Sequence, residues 1–320
     1  MNQTGNKYYL EDEFNNLIHE KCIDSNFSLL HLNARSLSKN LDQLSIYLGT
    51  LNHIFHVIAV SETWATEINS SFLQITGYNC LMKCCADRRG GAVALYIHDS
   101  LTYRERSDLN AHANQNFECV FAVISHISFG TKVVGAISRP PNTDIDAFVT
   151  GFETLIVNIC NSKHEYLIAG DYNIDLLKHE SHNGTQLFVN TIYSNYMVPL
   201  ITRPTRYTDN SSSLIDNIFT NKPDDTSIAG ILVTDISDHL PVFYISKNVI
   251  SRDKPMFKMV ASRQLTDANI IRLKHDLSLS DWSDINNLTN ANQAYDCFLS
   301  KFNNALNVAM PMVQKRVKCY

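Results

Sequence analysis

Residues 165–175 read E-Y-L-I-A-G-D-Y-N-I-D. Residues 166–169 are a short apolar run of the kind a buried strand needs, and Gly170 is expected to end it. Asp171, Asn173 and Asp175 follow directly. A strand that leaves a core and delivers a carboxylate and an amide onto a loop is how many α/β scaffolds present catalytic groups. Asp and Asn after glycine also build ordinary turns, so the stretch gains meaning only from partners elsewhere.

Working outward, residues 144–160 carry Phe148, Phe152, Leu155, Ile156 and Ile159 at helical spacing, and residues 185–196 predict a second helix. A third is expected over 38–51, with Leu41, Leu44, Tyr47, Leu48 and Leu51 on one side. Strand-like runs lie at 27–32, 56–60, 90–97, 117–127, 132–137, 214–220, 227–233 and 242–245. Closely spaced β runs mixed with helices predict an α/β (α+β four-layer) fold in which two packed mixed sheets are sandwiched between helices. Residues 1–25 read as a polar lead-in, and 26–248 as the main domain. From 249 to 320 the pattern changes to a short helical extension, with helices expected at 267–277 and 292–308 and a basic end, Lys315-Arg316-Val317-Lys318.

The chain has 320 residues, 44% hydrophobic and 18% charged, with a net charge of −5. That balance argues against a charge-driven DNA clamp, although a bound metal can offset an enzyme's own carboxylates. The eight cysteines form no C-x-x-C pair, which argues against zinc, and several sit in apolar runs as small hydrophobes. With neither a signal pattern nor an 18-residue apolar run, an intracellular, reduced protein without membrane association is expected.

Polar clusters recur at strand ends: Asn33, Glu62, Asp171 with Asn173, and Asp238 with His239, with Ser213 and Asp216 at the edge of another β run. The ordered set LNARSL (32–37), SETW (61–64), RRGGAVALYI (88–97), SRPPN (138–142), GDYNID (170–175), SLIDNIFT (213–220) and SDHLPV (237–242) resembles the endonuclease/exonuclease/phosphatase superfamily. Within it, the set is most similar to the apurinic/apyrimidinic-endonuclease-like domain of non-LTR (LINE-type) retrotransposons, over about residues 26–248.

The resemblance implies a DNase-I-like fold and a Mg²⁺-dependent DNA endonuclease, with Mn²⁺ as a substitute, that nicks double-stranded DNA to leave a 3′-hydroxyl. Glu62 with Asn33 would hold the metal, and Asp171 would orient and deprotonate the attacking water. Asn173, His239 and Ser213 would hold the phosphate, Asp216 would orient His239, and Asp238 would sit near the metal or leaving group. Mg²⁺ prefers hard oxygen ligands, which suits such a set. Three departures stand out: Ser138 where the family usually has tyrosine, which implies reduced activity; Arg35 where some relatives are acidic; and Asn217 where many have histidine. The region after 249 resembles the segment preceding reverse transcriptase, yet the chain contains no Y-x-D-D or F-x-D-D. A nuclear location is expected if the protein is active, and no stable protein partner is legible. Two other readings use the same residues: a phosphatase or phospholipase of the superfamily, and a catalytically impaired remnant acting as a binding module.

Overall fold

Strands with a period of two send alternate side chains to opposite faces, and here both faces are apolar, so each sheet must be covered on both sides. The computed structural model describes residues 6–21, 27–83, 91–160, 164–224, 226–246 and 257–318. Cys22, Cys84, Cys85, Arg88, Arg89 and the expected boundary near residue 249 lie outside them. The chain divides into two compact units, Met1–Ile250 and Ser251–Tyr320.

In the first unit, a seven-stranded sheet has the spatial order β1 (Tyr8–Tyr9), β14 (Ile228–Leu232), β15 (Val242–Ile245), β2 (Ser28–Asn33), β3 (Val57–Ser61), β5 (Val93–His98) and β4 (Tyr78–Lys83). A six-stranded sheet runs β10 (Val198–Pro199), β13 (Asp216–Thr220), β9 (Glu165–Asp171), β8 (Gly130–Ser138), β7 (Glu118–His126) and β6 (Thr102–Glu105). A separate ribbon pairs β11 (Arg206–Thr208) with β12 (Ser211–Ser213). The pairs β2/β3 and β8/β9 are parallel. They need crossovers, supplied by helices α2 (Leu37–Thr50) and α4 (Ile145–Cys160).

Between the sheets pack Leu29, Val57, Ala59, Val120, Ala136, Leu167, Ala169 and Ile218. The alternate residues face outward. Leu30, Ile58 and Val60 meet Leu37 and Leu44 of α2. Tyr166, Ile168 and Phe219 meet Phe148 and Phe152 of α4 and Phe188 of α5 (Asn183–Ser194). A short α3 (Ser107–Asn110) precedes β7. The expected helix–sheet–sheet–helix sandwich is what forms.

Three local expectations change. The lead-in is structured: β1 pairs in parallel with β14, and α1 (Glu11–Lys21) buries Phe14 and Ile18 against the first sheet. Phe14, Leu17 and Ile18 share one helical face, and Glu11, Asp12 and Glu13 favour the helix start through its dipole. Their signal is diluted by the polar residues around them. In the second unit α6 (Asp267–Leu279) and α8 (Ala291–Ala309) are helical as expected, with a short additional helix, α7 (Ser283–Asn286), between them. They are enclosed by β16 (Phe257–Arg263) and β17 (Met312–Lys318), an antiparallel pair joined only through the intervening helices. Nothing local in a basic tail announces a partner that distant in sequence. No helix among the described residues is long and apolar enough to cross a membrane.

The third change concerns Gly170, which does not end its strand. β9 continues to Asp171, paired with both Ile137 and Asn217 at the glycine. A Cβ at Gly170 would lie 2.0 Å from the carbonyl oxygen of Ile137. The residue is small because β8 passes too close for any side chain. Gly170→Ala is therefore expected to destabilise the protein by about 3 kcal/mol or more through overpacking, read as a lowered urea midpoint.

Candidate active site

The same alternation that builds the core places the polar residues. On the inter-sheet face, the pattern of Leu29 continues to His31 and Asn33, and that of Leu167 and Ala169 continues to Asp171. Asn33 is level with Ser61 in β3, Asp171 with Ser138 in β8, and Asp216 opposes Asp171 across β9 and β13. His239 lies just before β15. All meet at one end of the sandwich.

Asp171 is fully buried. Its Oδ2 accepts from Asn33 Nδ2 at 2.8 Å and Asn173 Nδ2 at 3.1 Å, and its Oδ1 accepts from the Asn173 backbone N–H at 2.9 Å. Burial, with Asp216 close by, raises its carboxyl to about 7 even though His239 pulls the other way. Asp216 is also buried, but the His239 charge and hydrogen bond hold it below the usual carboxylate range. His239 Nδ1 sits 2.9 Å from Asp216 Oδ2 and 3.1 Å from Oδ1. Burial disfavours its charge, yet Asp216, Asp171 and Asp238 together lift the imidazole to about 9. It is therefore an imidazolium at neutral pH, with Nδ1 fixed on Asp216 and Nε2–H available to a ligand.

Three of the surrounding loops carry a non-glycine residue in the left-handed region, at Arg35 (φ 41), Glu62 (φ 50) and Asn173 (φ 46). Such residues are uncommon and persist where neighbouring bonds hold them. Here Arg35 N–H donates to Asn33 Oδ1 at 3.0 Å and Ser36 N–H to the Glu62 carbonyl at 2.9 Å.

Among the other expected residues, Asn173 has both amide hydrogens engaged, one on Asp171 and one on the Arg139 carbonyl at 2.7 Å. It positions Asp171 and has no donor left for a phosphate. Asp238 is tied to Arg206 Nε and Nη2 at 3.0 and 2.9 Å, with Arg35 Nη1 3.0 Å from its other oxygen. Ser213 lies in β12 opposite Arg206. Ser138 is buried beside Asp171. The neighbouring Arg139 is buried too, donates to the carbonyls of Asn173 and Thr143, and lies over the Phe148 ring, so it holds the loop together. Asn217 is a staple: its Oδ1 accepts from Leu200 and Ile201 N–H, and its Nδ2 donates to the Ile201 carbonyl at 2.8 Å. Asp175 caps the 3₁₀ turn Leu176–Lys178 and accepts from Leu214 N–H.

Two supporting residues, Thr205 and His31, escaped the sequence reading, and Ser237 was read only as part of the motif SDHLPV (237–242). Thr205 Oγ1 donates to Asp216 Oδ2 at 2.7 Å, and Ser237 Oγ donates to the Asn33 carbonyl at 2.7 Å while accepting from His239 N–H at 3.1 Å. Thr205 carries no local signal. His31 does: it stands two residues before Asn33, hence on the same strand face. It is buried with Nε2 3.1 Å from Ser61 Oγ, and burial lowers it to about 4.

A divalent cation can be tested against these side chains. Ligand atoms of Asp171, Asp216 and His239 lie within 4.8 Å of one another, but an imidazolium bonded to a carboxylate is a poor ligand. Glu62 suits a hard cation better. Its carboxylate pairs with no described side chain, and Asn33, which bonds Asp171, lies next to it through the Asn33–Ser61 register.

The profile of the Endonuclease/Exonuclease/phosphatase family matches residues 26–239. No curated protein matches the chain. Among solved structures, the endonuclease domain of TRAS1, a telomere-specific non-LTR retrotransposon, aligns with TM-score 0.54 and 13% identity over 69% of this chain and 99% of that one. The AP endonuclease LMAP from Leishmania major aligns with TM-score 0.56 and 14% identity over 72% and 90%. The catalytic domain of Xenopus laevis APE2 gives 0.54 and 17% over 71% and 94%. At such identities the likeness is one of fold.

The Asp216–His239 pair has a direct test. Asp216→Asn should bring the His239 imidazole down from about 9 to the ordinary value of about 6.5 or below, followed by the ring proton shifts in an NMR titration. A titration unchanged from wild type would show that Asp216 does not hold the charge.

Proposed function

Because the chain belongs to the endonuclease/exonuclease/phosphatase family, whose members are hydrolases acting on phosphodiester bonds, we propose that it is a divalent-metal-dependent DNA endonuclease. It would nick double-stranded DNA and leave a 3′-hydroxyl. The observation that carries this reading is the geometry at one end of the sandwich: the buried Asp171 and Asp216 oppose each other across β9 and β13, and His239 Nδ1 sits 2.9 Å from Asp216 Oδ2.

Hydrolysis of a phosphodiester needs a base for the water and positive charge for the phosphate oxygens. Asp171 is the base, since a carboxyl raised to about 7 lies near the operating pH, where general-base catalysis is most effective. Its three hydrogen bonds from Asn33 and Asn173, two on Oδ2 and one on Oδ1, fix the orientation of the carboxylate. His239 Nε2–H donates a charge-assisted hydrogen bond to a phosphate oxygen, and Asp216 with Thr205 keeps the ring oriented. A divalent cation such as Mg²⁺, or Mn²⁺ in its place, held by Glu62 with Asn33, would act as a Lewis acid on the developing charge. We assign Ser213, which pairs with Arg206 across β11 and β12, to the phosphate side.

Double-stranded DNA as substrate rests on the R-P-P, S-x-I-D and S-D-H motifs and on the shared fold of a retrotransposon endonuclease domain. The family's phosphatases use similar chemistry, so substrate has to be decided by assay. Ser138 supports a second reading, a remnant with impaired cutting, because a serine hydroxyl cannot reach where a tyrosine phenol would.

Supercoiled plasmid incubated with the purified chain and Mg²⁺ should relax, and chelator should stop it. Asp171→Asn and His239→Ala should each slow nicking by roughly 10²–10⁴-fold. A wild type as inactive as these variants, with activity gained by Ser138→Tyr, would establish the remnant reading. Turnover of a lipid phosphate without plasmid relaxation would replace DNA as the substrate.

The rate should also follow a bell in pH. It rises as Asp171 ionises near 7 and falls as His239 loses its proton near 9. Bound cation should move the rising limb to lower pH, because nearby positive charge favours the carboxylate. A flat profile in rates measured from pH 5 to 10 would exclude this acid–base pair.

A further inference from the structure

Asp238 stands beside His239, yet its carboxylate is held by two guanidiniums from different parts of the fold. Arg206, in β11, offers Nε and Nη2 to Oδ2 at 3.0 and 2.9 Å. Arg35, in the turn between β2 and α2, brings Nη1 to 3.0 Å from Oδ1 as an ion pair without a hydrogen bond. One carboxylate balances only one of these cations, so the trio carries a net positive charge. The arginine side chains are 59% and 35% exposed, against 24% for the aspartate. A guanidinium has five N–H donors, so each arginine keeps donors beyond those facing Asp238. Arg35 and Asp238 also line a cleft of about 460 Å³ together with Ser36, Lys39 and Trp64. Arg206 meets His239 through a backbone bridge, which sets the clamp against the candidate catalytic histidine.

We propose that Asp238 is a clasp and not an acid, and that it holds Arg35 and Arg206 as a two-guanidinium subsite for the phosphate adjoining the one that reacts on a polynucleotide strand. The inference rests on the phosphodiesterase reading and adds to it a fixed second grip on the substrate backbone. Planar guanidinium forks suit phosphate oxygens, and preorganisation by a shared carboxylate reduces the ordering cost of binding.

The test uses the full chain in chelator, where no cutting occurs, with a fluorescein-labelled duplex oligonucleotide and anisotropy read across a range of salt. Arg35→Gln and Arg206→Gln should each lower the slope of log Kd against log salt by about 0.9, the value for one phosphate contact on duplex DNA. Arg104→Gln, on the edge strand β6, should leave the slope as it is. Asp238→Asn is the decisive variant. Removing a negative charge near DNA should tighten binding if charge alone matters, whereas loss of the clasp should weaken it. Unchanged slopes in both arginine variants, or tighter binding by Asp238→Asn, would overturn the proposal. Plasmid nicking by a chain whose slope ignores both arginines would remove only the subsite. Arginine-dependent binding without nicking would keep the subsite and remove the nuclease reading.

Discussion

Two buried carboxylates, Asp171 and Asp216, face each other across neighbouring strands. At ~4 Å and an effective dielectric near 20, like charges repel by about 4 kcal/mol, so this arrangement cannot stand with both ionised and nothing between them. The imidazolium of His239 is the answer, and it divides the pair unequally. Asp216 takes the histidine bond and stays charged, while Asp171 receives only neutral amide donors and is pushed toward protonation. The opposite end of the same inter-sheet face carries a contrasting solution. There Lys132 and Glu165 pair at 2.6 Å, both nearly inaccessible, with the exposed Lys222 Nζ 3.9 Å from the same carboxylate oxygen. That ion pair ties β8 to β9 within one sheet. An odd set of three leaves one group whose proton is mobile near neutral pH, and that separates a structural charge cluster from one equipped for proton transfer.

The backbone around this set follows from the same requirement. Glu62, Arg35 and Asn173 sit in left-handed conformations that cost of order 1–3 kcal/mol each for residues with side chains. Glycine would relieve that cost, but it would also remove the side chain the position exists to present. The chain resolves the conflict with local bonds such as Ser36 N–H to the Glu62 carbonyl and Asn173 N–H to Asp171. Gly170 is the converse case, where a side chain is sacrificed so that β8 and β9 can approach.

Much of this was legible in the residues because strand period and strand ends are local properties. Asn33, Asp171 and Asp216 lie where an alternating apolar pattern runs out, and the sandwich follows from the same runs. What stayed hidden was non-local. Thr205 matters only because the turn before β11 returns beside Asp216, and β17 only because three helices bring it back to β16. The N-terminal segment was missed for a different reason: Phe14 and Ile18 are two apolar residues in a polar stretch, and their burial depends on a groove made by Phe243, Phe55 and Leu44. Arg35 and Asp238 were both visible as residues, but their pairing depends on two turns meeting in space.

That pairing bears on how a phosphate is held at all. Asn173 has both amide hydrogens engaged within the protein, and Ser138 is short and buried. Two groups that could have donated to the substrate are thereby removed, which leaves His239 as the donor nearest Asp171. A single hydrogen bond fixes a distance but not an orientation, and an in-line attack needs both. The orientation must come from elsewhere on the strand, and exposed cations flank His239 on its Asp238 side: Arg35, Arg206 and Lys39. The net charge of −5 does not oppose this. Asp171 and Asp216 are buried and Asp238 is paired, so Arg35 and Arg206 give the Asp238 side of the cleft its positive charge. A chain acidic as a whole can therefore present a basic edge to a polyanion at the one place where its geometry requires it.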